Sequence, residues 1–62
     1  MKATIYRTSD GRWRWVTRHY DSDGDFPTDA MAIKDWQDTC RQEFGDTPVH
    51  VVADRRPDER DL

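Results

Sequence analysis

The residues with most chemistry to offer are arginines set among aromatic side chains near the amino terminus. Arg7, Arg12, Arg14 and Arg18, followed by Tyr20, flank Trp13 and Trp15. Guanidinium groups pair bidentately with phosphate and stack on flat rings, and a two-stranded ribbon fits the major groove of a duplex. The same residues also suit a protein partner, because Arg and Tyr are favoured at interface hot spots. Catalytic chemistry is harder to assemble. Cys40 is the only cysteine, which excludes an internal disulfide scaffold and cannot make a zinc site alone. It falls on an apolar helical stripe and reads as a buried small hydrophobe. Catalysis with His19 or His50 would instead need a reactive, partly exposed thiolate. Asp21-Ser22-Asp23-Gly24-Asp25 suggests calcium, yet it lacks the twelve-residue frame with its terminal bidentate Glu and reads as a polar turn. No Ser-His-Asp set, carboxylate pair or phosphate loop stands out. The reading is therefore a non-enzyme with no metal and no cofactor.

Size points the same way. The chain has 62 residues, 34% hydrophobic and 37% charged, with a mean hydropathy of −1.15. One domain is the most it can form, and such a domain buries only about 60% of the surface of its unfolded chain. No apolar run approaches the roughly 18 residues of a membrane span, and the amino terminus shows no apolar leader segment. A cytoplasmic location and no membrane partner are the expectations. The net charge of −3 conceals an asymmetry. Residues 1–20 carry Lys2, Arg7, Arg12, Arg14 and Arg18 against Asp10 alone, a net +4, whereas residues 21–46 carry a net −6. Such a split marks either a basic binding face backed by an acidic body or internal pairing between the halves.

The elements that must position these groups follow from spacing. Residues 3–8 and 12–20 are rich in β-branched and aromatic side chains and enclose Asp10-Gly11, a strong hairpin signal. With a two-residue loop, Arg7 faces Arg14 and Tyr6 faces Trp15, and strand 2 separates its tryptophans from its arginines. A one-residue bulge at Gly11 would slip strand 1 and bring Ile5 to the tryptophans instead. After the polar turn, Phe26 closes a brief third strand; Thr28 then caps a helix over 29–44 with Asp29 in its first turn, and Ala30, Ile33, Trp36, Cys40 and Phe44 form the apolar stripe. Gly45 ends it. Residues 49–53 read as a last strand. Beside strand 1 it pairs antiparallel, in the order 2-1-3. The expected core is Trp13, Trp15, Ile33, Trp36, Cys40, Phe44, Val49 and Val51. Residues 1–53 form one compact domain, and 54–62 form a charged tail without apolar periodicity, expected to be mobile. The fold class is α+β: a small antiparallel or mixed sheet of about three strands packed on one helix, in the order ββαβ.

Asp10-Gly11-Arg12-Trp13-Arg14-Trp15, then Phe26-Pro27-Thr28 with Ala32 and Trp36, resembles the amino-terminal arm-binding domains of phage tyrosine recombinases over about residues 4–44. The resemblance implies a three-stranded sheet inserted into the DNA major groove with the helix behind. It would make Arg12, Arg14 and Arg18 DNA-contacting and Trp13, Trp15, Ala32 and Trp36 structural. The acidic turn at 21–25 and the strand after the helix depart from that pattern. The hairpin is also similar to small bacterial and archaeal proteins of unknown function built from short ββ-α repeats.

The functional reading is a small regulatory module, of phage or mobile-element type, that binds a host protein. Its contact surface would be the arginine and aromatic strand face (Arg7, Arg12, Arg14, Arg18, Tyr20) or a sheet edge. The alternatives are nucleic-acid binding through the arginines of strand 2, and a salt-sensitive homodimer joining the basic hairpin of one copy to the acidic segment of another.

Overall fold

A computed structural model describes all of residues 1–62. Its elements are β1 (Lys2–Arg7), β2 (Trp13–Val16), α1 (Asp29–Thr39) continued by a π-helical turn (Cys40–Phe44), β3 (Val49–Ala53) and a short 3-10 turn (Glu59–Asp61). The α+β class and the order ββαβ are those expected. The three-stranded sheet is mixed and ordered β2-β1-β3.

The hairpin adopts the bulged register. Ile5 opposes Trp15 and Arg7 opposes Trp13, so the two-residue loop, with Arg7 facing Arg14, is not formed. Three residues, Ser9 to Gly11, make the turn. Gly11 N–H donates to Thr8 O at 3.0 Å, Thr8 N–H donates to Arg12 O at 2.8 Å, and Gly11 sits at φ 82°. Glycine takes that conformation without steric cost. This register puts Ile5 on the same side as Trp15, toward the helix, and avoids two arginines face to face. β2 is also shorter than its composition suggests. The Thr17 hydroxyl accepts from the N–H of His19 at 3.3 Å and of Tyr20 at 2.9 Å, a local turn that competes with the ladder. Strand alternation therefore stops before Arg18, His19 and Tyr20.

Residues 21–26 then double back along the outer edge of β2. Trp13 and Phe26 exchange both backbone bonds at 2.8 Å, and Ser22 N–H donates to Trp15 O at 2.9 Å. This additional reversal sets the sense of everything that follows. The helix runs opposite to β1, and β3 returns parallel to β1, with Ile5 opposite Val52. Beside strand 1 an antiparallel pairing was expected. The order 2-1-3 holds and the direction is corrected.

Thr28 caps α1 by accepting from Met31 N–H at 3.2 Å. Ala32, Trp36 and Cys40, spaced by four, are fully buried, and they pack with Ala3, Ile5 and Trp15 as the core. Trp13, Ile33 and Phe44 are partly buried against it. Ala30 lies off this stripe and is exposed. The rings of Trp15 and Trp36 meet at 5.0 Å between centroids. Both indole N–H groups are satisfied, Trp15 by Asp35 Oδ2 at 2.8 Å and Trp36 by Val49 O at 3.1 Å. Such partners are what allow an indole to be buried.

The far face of the sheet is not bare. Thr4, Tyr6 and Val16 are buried there, and residues 54–62 run across it. Arg56 Nη1 donates to Tyr6 Oη at 3.0 Å, with its guanidinium 5.7 Å from the Tyr6 ring centroid. Arg18 Nη2 donates to Leu62 O at 3.3 Å.

Candidate interaction surface

The expected binding residues are dispersed, and most are engaged within the chain. The bulged register turns Arg7 to the tryptophan side of the sheet, where it is exposed. Arg12 holds Asp25, Nε to Oδ2 at 3.2 Å. Arg14 is half-buried and donates from Nη2 to Ser22 O at 2.7 Å, while its Nε is buried without a partner. Arg18 reaches Leu62. Tyr20 is 49% exposed, its ring stacked 4.8 Å from that of Phe44. Arg12 and Arg14 therefore fasten the 21–26 segment to β2, and Arg18 fastens the carboxyl-terminal segment.

Acidic groups balance them in the same region. A cavity of about 590 Å³ lies between the 21–26 segment and the helix, walled by Trp15, Phe26 and Phe44 and rimmed by Asp23, Asp35 and Glu43. It exists only because that segment doubles back, which no sequence periodicity signals. Asp35 serves the Trp15 indole.

Two carboxylates have altered acidity. The Thr8 hydroxyl bonded to Asp10 holds that carboxyl below its ordinary value. The amino-terminal ammonium, 3.0 Å from Asp46 Oδ2, does the same for Asp46, helped by the N–H of Thr47. Both fasten loops. No three His, Cys, Asp or Glu side chains come together as a metal site, and Cys40 is fully buried, its thiol 3.5 Å from Asp46 O.

What the chain leaves uncommitted is the outer edge of β3. The helix packs mainly over β1 and β2, and Val49, Val51 and Val52 are 51%, 45% and 53% exposed. Val49 and Val51 were expected in the core. They lie outside it because the register with β1, Lys2 opposite Val49 and Thr4 opposite Val51, turns them to the face away from the helix. Apart from Met1 and the Trp36 indole, both on Val49, no segment but β1 hydrogen-bonds to this strand. Along such a strand alternate residues turn N–H and C=O outward. Val49 N–H bonds to Met1 O at 3.0 Å, so the outward-facing residues are His50 and Val52. The opposite edge of the sheet differs. On β2 the outward groups of Trp13 and Trp15 are taken by Phe26 and Ser22, including Trp15 N–H to Ser22 Oγ at 3.3 Å.

Compared with family models, curated proteins and solved structures, the chain matches none. No helix is long and apolar enough to cross a membrane.

Proposed function

We propose that this chain is a non-enzymatic protein-interaction module that receives an extended segment of a protein partner along the outer edge of β3. One observation carries the reading. The β3 edge is open and flanked by three exposed valines, whereas the β2 edge is occupied by the chain itself. Strand addition uses such an edge: main-chain bonds supply affinity, and the side chains beside them supply selectivity.

The substitution Val52→Pro tests it. The Val52 N–H points away from β1, so proline there spares the ladder to β1 and removes an outward donor, a placement that edge strands tolerate. Wild-type chain used as bait should retain a protein partner that V52P loses, with both showing the same circular dichroism. The competing reading, implied by the resemblance to arm-binding domains, places DNA on Arg12, Arg14 and Arg18. Duplex binding that falls steeply with salt and is untouched by V52P would favour it and overturn ours. The internal bonds of Arg12, Arg14 and Arg18 argue for the edge.

A further inference from the structure

The partner that best fits this edge is a second copy of the chain. Resting on the reading of β3 as the binding edge, we infer that two copies pair β3 against β3 in antiparallel fashion, centred on Val51, to give a continuous six-stranded sheet.

The register follows from which groups are free. His50 and Val52 face outward, and a two-fold axis at Val51 sets His50 of one copy opposite Val52 of the other, twice over. Four backbone bonds result, each joining an outward N–H to an outward C=O. Sliding the axis toward residue 50 brings Pro48, which has no N–H, into the ladder. Sliding it toward residue 52 calls on Asp54, which lies in a bend beyond the strand. Only the centred register keeps the ladder inside Val49–Ala53.

Side chains and charges agree with it. Val51 meets its own counterpart and Val49 meets Ala53, so the exposed valines on the far face join into one apolar strip. At the ends, the antiparallel sense brings the loop that holds Asp46, before β3 in one copy, toward Arg55, after β3 in the other. Arg55 has no ion-pair or hydrogen-bond partner within its own chain. The assembly also closes. With the β2 edge filled by residues 21–26, a pair joined at β3 exposes no further open edge, as an isologous interface requires.

Sedimentation equilibrium over a concentration series, paired with disulfide trapping, tests the inference. Wild type should sediment as a dimer at high concentration and persist as one in high salt, because backbone bonds and valines dominate the contact. V52P should raise the dissociation constant at least about tenfold, since it removes two symmetry-related bonds of about 1 kcal/mol each. V51C should form an interchain disulfide under mild oxidation: opposing Cα atoms of a non-hydrogen-bonded pair lie about 4.5 Å apart, within disulfide reach. V49C, facing Ala53 of the other copy, should not. Wild type carrying buried Cys40 is the control.

A monomer at every concentration overturns the dimer. If V52P still loses a foreign protein in that case, the edge reading stands alone; if V52P changes neither property, both fail. A dimer that dissociates in salt and ignores V52P points to contact between hairpin and acidic segment and likewise overturns this one.

Discussion

Single hydrogen-bonded side chains fasten the irregular segments of this domain to its sheet. Ser22 is the clearest case. It is 1% exposed, its Oγ accepts from Trp15 N–H and donates to Gly24 O at 2.9 Å. Ser22→Ala would leave the Trp15 N–H buried and unpaired, so unfolding free energy in urea should fall by about 1–3 kcal/mol. A change much smaller than that would mean water reaches the β2 edge. Asp46 makes a pH-dependent clasp. Its carboxyl titrates below the ordinary value of 3.8 because the amino-terminal ammonium and the Thr47 N–H favour the anion. A depressed carboxylate stabilises the fold above its unfolded pKa, and that contribution is lost as pH falls through the lower folded value. Melting temperature should therefore drop below about pH 4, and Asp46→Asn should make that drop shallower while leaving the neutral-pH fold intact. Equal acid profiles for the two proteins would show that the clasp is absent in solution.

At the scale of elements, the turn at Gly11 sets the side of the sheet to which each hairpin residue belongs. Gly11→Ala would place a Cβ 3.7 Å from Arg7 Nη2, an ordinary contact. The cost is therefore conformational: a left-handed residue with a side chain costs about 1–2 kcal/mol. The melting temperature should fall by about 4–16 °C for a domain this small, with the fold otherwise unchanged. The hairpin and the helix were legible in the sequence because their signals are local: Asp10-Gly11 between aromatic runs, Thr28 as a cap, and apolar residues at helical spacing. The 21–26 reversal was legible only as a polar turn with a brief strand at Phe26, not as a segment paired along β2. Its stability comes from backbone bonds between Phe26 and Trp13 and between Ser22 and Trp15, and side-chain periodicity carries no trace of those. Missing that one pairing inverts the inferred sense of β3 and assigns Val49 and Val51 to the helix side, when their register with Lys2 and Thr4 sets them on the opposite face. It also leaves Arg12 and Arg14 looking free, when their partners Asp25 and Ser22 lie in the reversed segment. The edge of β3 became visible as a site only once that topology was known.

For the molecule as a whole, one helix covers one face of the sheet, and the other face depends on the carboxyl-terminal segment. Tyr6, 5% exposed, is the test point, because Arg56 both donates to its hydroxyl and lies over its ring. Two independent layers follow from this arrangement, a tryptophan layer under the helix and a thinner polar layer under residues 54–62. Tyr6→Phe keeps the ring and removes the hydroxyl, so it should cost only about 0.5–1.5 kcal/mol. Arg56→Ala removes the bond, the cation over the ring and the guanidinium stem that shields it, and should cost about 1–2 kcal/mol. In the double variant the losses should be less than additive, because both changes delete the same bond. Near-UV circular dichroism, dominated by Trp15 and Trp36 on the other side of the sheet, should stay the same in all three proteins while their urea midpoints shift. Strict additivity in this cycle would mean that the segment does not rest on Tyr6, and that the far face of the sheet, with Thr4 and Val16, is shielded in some other way.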